Sequence, residues 1–167
     1  MDFFAHGLWS YIFFHKIKKP LYAVLFGLLP DVISWVPYFF YRILTGQETG
    51  RPIVELIPPW AFLLYNIGHS LIIAAFVLLM VYLVLRKVPL YLYAWPVSIV
   101  IDVLTHRREF LPTPFLWPWS DWKFPGISWG NPLFLVVNYS LIIICLTYIL
   151  WKKGFFAKGG SKKRNRK

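Results

Sequence analysis

The chain has 167 residues, of which 58% are hydrophobic and 15% charged, against about 45–50% apolar and about 25% charged in an ordinary soluble domain. That balance excludes a soluble globular enzyme, and an aromatic share of 20% with nine Trp fits rings anchored at membrane–water interfaces. The net charge of +11 raises nucleic acid as a partner, but eight of the eighteen Lys and Arg fall between Lys152 and Lys167. The basicity is mostly a tail, and no nucleic-acid partner is expected.

Residues 2–15 form the first apolar stretch. Asp2 precedes it and Lys16, Lys18 and Lys19 follow it, the reverse of a secretory signal, so the segment is expected to be retained. Its length suits either a short tilted span or a helix lying at the interface. Four further stretches, residues 20–45, 60–85, 89–106 and 132–151, approach or exceed the roughly 20 apolar residues that a bilayer core demands of a helix. The only cysteine, Cys145, lies within the last of them, which excludes a disulfide framework. Beyond it, residues 152–167 read as a disordered basic cytoplasmic tail, whose Lys and Arg are attracted to anionic headgroups.

Clusters of Lys and Arg bias their loops to the cytoplasm. Here they stand at Lys16–Lys19, at Arg86 with Lys87, and from Lys152 onward, at every second junction. The expected fold is therefore all-α: a polytopic transmembrane helix bundle of four to five spans in the plasma or inner membrane, N-terminus out and C-terminus in. Residues 1–151 form one membrane-embedded domain with outer loops at 46–59 and 107–131. Thirteen basic residues then lie inside and five outside.

Ionisable side chains inside a bilayer cost several kcal/mol and mark function. Those that interrupt the apolar stretches are His6, Asp31, His69, Asp102 and His106. At about 1.5 Å of rise per residue, His69 and Asp31 fall near mid-depth of their spans. Asp102 and His106, four apart, share one helical face. Independent spans thus place three His and two Asp in one layer. Imidazole and carboxylate together suit a divalent metal, Zn²⁺ foremost and Mn²⁺ second, and a metal-activated water attacks esters and phosphoesters. Plainer readings stand beside this one. Asp31 after Pro30 can cap the second half of a broken helix, His69 with Ser70 can join two helices by a hydrogen bond, and Asp102 with His106 can be a surface ion pair.

The outer segment from Arg107 to Trp122 carries three prolines and three Trp and reads as a rigid aromatic lid at the interface. Arg107 and Arg108 follow His106 directly. Guanidinium groups bind phosphate bidentately, so both are candidates for substrate binding, with snorkelling to headgroups as the plain alternative.

Ala5-His6-Gly7, Gly27-Leu28-Leu29-Pro30-Asp31, His69-Ser70, Asp102-Val103-Leu104-Thr105 and Leu116-Trp117-Pro118 together resemble the bacterial inner-membrane metal-dependent hydrolase family often called YdjM-like. The Pro-Asp and His-Ser elements are also similar to bacterial zinc-dependent phospholipase C. The resemblance spans residues 5–120. It implies an integral membrane hydrolase with metal ligands at His6, Asp31, His69 and Asp102. Tyr65 and Ile99 stand where many such sequences carry His, and His106 is a candidate replacement ligand.

The expected function is metal-dependent hydrolysis of a lipid or other membrane-accessible ester or phosphoester, with Asp31 or Asp102 as general base and membrane lipids as surroundings. The alternatives are a metal or proton transporter, whose buried carboxylates and histidines form a relay, and a non-catalytic membrane scaffold with a structural metal. Five short spans without an inverted repeat argue against a carrier.

Overall fold

The computed structural model describes residues 1–50 and 52–154, and these contain helices and connecting segments without a strand. Six α-helices run in chain order: α1 Phe3–Phe14, α2 Pro20–Leu44, α3 Pro59–Gly68, α4 Leu71–Leu85, α5 Ala94–Thr105 and α6 Pro132–Lys152. Short 3₁₀ turns precede α3 at Val54–Leu56 and α5 at Leu90–Tyr93. Two helices, α2 and α6, are long and apolar enough to cross a bilayer, and the α3–α4 pair makes a third span if its two halves count as one. α1 and the stretch Leu90–Thr105 are apolar but shorter. The basic tail expected at the C-terminus lies, from residue 155 on, outside the described residues.

α2 is the hub, with α1, α3 and α5 packed around it. It runs unbroken for 25 residues through Pro30 and Pro37, although each proline removes one intrahelical donor. Buried Ser34 bonds back to the carbonyl of Pro30 at 2.7 Å, an adjustment that membrane helices use around proline. Asp31 therefore does not cap a break; it lies inside a continuous helix.

The approach of α1 and α5 to α2 depends on small residues. A β-carbon at Gly27 would lie 1.8 Å from Ser10 Oγ and 3.3 Å from Ser98 Oγ, so the three backbones cross where only hydrogen fits. Small residues at such crossings allow the close packing that joins helices in lipid. Gly68 does the same between α3 and α2, where a β-carbon would stand 3.0 Å from the Pro30 carbonyl.

The stretch expected as one span over residues 60–85 is divided. α3 and α4 meet at a 57° bend because His69 closes α3 and Ser70 opens α4, its hydroxyl accepting from Ile73 N at 3.1 Å. A serine N-cap satisfies one of the donors that a helix start leaves free. Other groups of the break are met by the segment after α5 and by α5 itself: Leu71 N donates to Phe115 O at 3.0 Å and Ser70 Oγ donates to Trp117 O, while Trp95 Nε1 of α5 donates to Gly68 O at 2.8 Å.

That segment also closes the C-terminus of α5. Gly126, Ile127 and Trp129 donate to His106 O, Leu104 O and Thr105 O at 3.1, 2.9 and 2.9 Å, supplying partners to carbonyls left free at a helix end. Gly126 is required there, since a β-carbon would come within 2.7 Å of Leu104 O and Val103 O.

α6 begins at a cap formed by Asn131 and leans on α1. Ile142 and Ile149 pack with Ala5 and Ile12. Trp9 Nε1 donates to Asn138 Oδ1 at 2.8 Å and Tyr139 OH to Asp2 Oδ1 at 2.7 Å. Asp2 also caps α1 by accepting from Ala5 N, so one carboxylate joins the two helices.

Candidate buried His–Asp site

Three histidines of the apolar stretches meet around one carboxylate, and Asp31 joins them through His69. Asp102, on the buried face of α5, is 1% exposed, as are His6 of α1 and His69 at the end of α3. His6 Nε2 lies 2.8 Å from Asp102 Oδ1, and the amino group of Met1 donates to the same oxygen. His106 Nδ1 stands 3.3 Å from Oδ1. His69 Nε2 lies 3.6 Å from Asp102 Oδ2 and 3.6 Å from Asp31 Oδ1. α1, α2, the α3–α4 break and α5 each contribute, as they must when no single helix face can gather five such groups.

The hydrogen bonds on the far side of each ring determine what the near side offers. A carbonyl only accepts, so a ring nitrogen bonded to one carries the proton. His69 Nδ1 meets Tyr65 O at 3.0 Å; its proton is there, and in the neutral ring Nε2 presents a lone pair to the two carboxylates. His106 Nδ1 meets Asp102 O, one turn back, at 3.0 Å. It faces Asp102 with an N–H, and only its Nε2 can supply a lone pair. His6 donates through Nε2, which leaves its buried Nδ1 without a partner.

Asp102 Oδ2 is likewise buried with no hydrogen bond, a state that costs about 1–3 kcal/mol for a neutral group and more for a charged one. Asp102 Oδ2 and Asp31 Oδ1 each lie 3.6 Å from His69 Nε2. Among the described residues no three His, Cys, Asp or Glu are arranged to hold a metal ion as they stand. The donor set itself, imidazole nitrogen and carboxylate oxygen, fits Zn²⁺, and 3.6 Å is close to the spacing between two ligands each about 2.0–2.2 Å from one metal.

Burial separates the two carboxylates. The side chain of Asp31 is 14% exposed against 1% for Asp102, so Asp31 forms the open edge of the cluster and Asp102 its sealed centre. The surface-pair reading of Asp102 with His106 does not hold, since Asp102 is fully buried. Ser70 belongs to the helix break, where it caps α4.

Arg107 and Arg108 follow the cluster directly, but both are exposed and neither reaches it. Arg108 Nε donates to Lys123 O at 3.0 Å. Two shallow grooves flank it, one of about 200 Å³ between Arg107, Arg108, Glu109, Pro125 and Gly126 and one of about 310 Å³ between Arg108, Asp121, Trp122 and Lys123. Burial pushes the Lys123 ammonium below its usual pKa, against a smaller opposing effect of Asp121. The segment is aromatic and held in place: Trp122 packs edge-on against Phe115 and Phe124.

Sequence reasoning noted Tyr65 only as standing where similar sequences carry His and gave it no role. It is 4% exposed, its ring lies 4.2 Å from that of His69, and its hydroxyl donates to Leu111 O at 2.8 Å. The signal was its place four residues before His69, one helical turn away. No protein family, curated protein or solved structure matches this chain.

Proposed function

We propose that the chain is a multi-pass protein of the plasma or inner membrane, with four or five crossings, the N-terminus outside and the C-terminus inside. On this reading it is a hydrolase of the YdjM-like kind, dependent on a divalent metal and acting on a lipid or another membrane-accessible ester or phosphoester. The observation that carries the reading is the meeting of His69 Nε2 with Asp31 Oδ1 and Asp102 Oδ2 at 3.6 Å each, with the proton of His69 held on its other nitrogen by Tyr65 O.

In this assignment His69, Asp31 and Asp102 hold Zn²⁺, or Mn²⁺ in its place. When bound, such a metal acts as a Lewis acid and makes water a nucleophile at neutral pH. The chain's own groups do the rest. His6 hydrogen-bonds to the Asp102 carboxylate and His106, bonded to the Asp102 carbonyl, sits 3.3 Å from it, and together they fix that carboxylate as outer partners of metal ligands do. Asp31, the exposed edge of the pair, is the general base and takes a proton on its carboxylate, while Asp102 is sealed from any substrate. Arg107 and Arg108 lie at the rim beyond His106, where an anionic headgroup would meet them.

The test is metal content by plasma mass spectrometry on detergent-purified protein, wild type beside His69→Ala and Asp102→Ala, followed by hydrolysis of phospholipids and generic phosphoesters. Near-stoichiometric zinc or manganese, lost in both variants, together with hydrolysis abolished by Asp31→Asn, is the expected result. A folded wild type that holds no metal and cannot be loaded would overturn the metal site. Metal retained without any hydrolysis would turn the reading toward transport or a structural metal.

A further inference from the structure

The geometry points to Tyr65 as the positioning residue of this cluster, one whose ring and hydroxyl hold the plane of the His69 imidazole, with its tautomer set by the backbone carbonyl at the same position, and connect it to the segment after α5. Three contacts, made by three parts of one residue, carry this. The Tyr65 carbonyl accepts from His69 Nδ1 at 3.0 Å. The Tyr65 ring covers the imidazole with centroids 4.2 Å apart and planes inclined at 32°. The Tyr65 hydroxyl donates to Leu111 O at 2.8 Å, across 46 residues of sequence.

Each contact removes a different freedom. His69 closes α3 where the chain bends, with φ of −104° and ψ of 17°, so the regular helix does not hold its ring on both sides. The carbonyl alone selects the tautomer but permits rotation about the Nδ1–O line. The ring of Tyr65 blocks that rotation from one face. Aromatic pairs at such separations are favourable beyond their buried area, and the ring is itself fixed because Trp35 packs on it at 5.6 Å and its hydroxyl is tied down.

The tie matters because of where it leads. Leu111 belongs to the same segment whose Phe115 and Trp117 carbonyls occupy the α3–α4 break. The segment after α5 therefore holds the His69 turn at three points, one of which passes through the Tyr65 ring. A displacement of residues 111–117 is transmitted to the imidazole plane, and a well-seated segment keeps Nε2 aimed between Asp31 and Asp102.

The inference rests on the metal reading only for its second measurement. In the first, the full chain is labelled with ¹⁵N-histidine, purified in detergent without added metal, and its imidazole nitrogens are recorded by NMR, with His69→Gln assigning the resonances. Wild type is compared with Tyr65→Phe, Tyr65→Leu and Tyr38→Leu, the last removing a buried ring of the same aromatic cluster that has no ring contact with His69 among the described aromatic pairs. The expected result is an Nδ1-protonated His69 with one sharp set of imidazole resonances in wild type, in Tyr65→Phe and in Tyr38→Leu, and resonances broadened or split by ring motion in Tyr65→Leu, whose backbone carbonyl still accepts from Nδ1. In the second, Co²⁺ titrated as a spectroscopic probe should bind Tyr65→Leu about 10–100-fold more weakly than wild type, with an altered visible spectrum. Tyr65→Phe should restore the wild-type spectrum while loosening the segment after α5 to proteolysis. A Tyr65→Leu protein whose His69 resonances stay as sharp and unsplit as those of wild type, or a Tyr38→Leu protein disturbed to the same degree, overturns the inference. Failure of wild type to bind Co²⁺ while the NMR pattern holds removes the metal reading and leaves the positioning role intact.

Discussion

α5 and α6 are neighbours in sequence and opposites in use. α6 is the longer, 21 residues against 12, and apolar over its whole length, yet it buries only Asn138, Ile142 and Ile149 and carries no member of the His–Asp cluster. α5, including its 3₁₀ turn, is too short to qualify as a span by length, yet it buries Ala94, Trp95, Ser98, Ile99, Asp102 and Thr105. The difference teaches that length does not set burial in this chain. α6 leaves most of its surface outside the bundle. The short α5, like the broken α3–α4 pair and the long hub α2, packs through Gly, Ala and Ser and can bury charge, because a backbone approached closely on several sides leaves no room for solvent.

The largest effect should come from the centre of the short-helix region. Asp102→Ala leaves His6 and the Met1 amino group facing an empty place, and breaking one side of a buried charged contact costs about 3–5 kcal/mol. Thermal unfolding in detergent should show it, while Asp102→Asn, which keeps the shape, should unfold closer to wild type and still fail to retain metal. A chelator should lower the melting temperature of wild type but not that of His69→Ala. Equal chelator effects on both proteins would place the metal elsewhere.

Next comes the crossing itself. Gly27→Val inserts atoms where even a β-carbon lies 2.7 Å from Ser10 Cβ, an overpacking of about 1–3 kcal/mol. Its unfolding midpoint should drop well below that of Val136→Leu, an exposed change on α6 expected to stay within about 0.5 kcal/mol of wild type. If the two variants melt alike, the contrast between the regions is broken.

The helix break should be milder. Ser70→Ala removes a cap and the bond to Trp117 O, about 1 kcal/mol for the cap, and should increase hydrogen exchange at the first amides of α4 and in residues 115–119 together. Smallest is Asn138→Leu on α6, which removes one interhelical bond to Trp9, on average about 0.6 kcal/mol in membrane proteins. A near-silent result by thermal unfolding would sharpen the comparison, and a loss as large as that of Gly27→Val would refute it.

Much of the architecture was legible because lipid makes a simple demand on sequence. The apolar stretches at 20–45 and 132–151 became α2 and α6 within a residue or two, since backbone groups in hydrocarbon must be satisfied within the helix. The cluster was legible for the complementary reason: His6, Asp31, His69, Asp102 and His106 interrupt apolar stretches where ionisable groups are costly, and the three histidines meet around Asp102, with Asp31 joined through His69. Hydrophobicity counting could not show that residues 60–85 bend at His69–Ser70. Both halves are apolar, and the partners that make the break tolerable, Phe115 O and Trp117 O, lie more than 40 residues away. The role of Tyr65 was not legible, because an aromatic residue in an apolar helix looks like packing until its carbonyl, ring and hydroxyl are each seen to have a partner.

Composition and the spacing of charges determined by themselves that this is a helical chain suited to a membrane and which side chains had to be gathered out of it, because both follow from the cost of exposing polar groups to hydrocarbon. Tertiary structure alone decided which carboxylate is sealed and which is open, which nitrogen of each histidine faces inward, and where a helix could stop. Those depend on hydrogen-bond partners and close approaches between residues distant in the chain, and no local pattern carries that information.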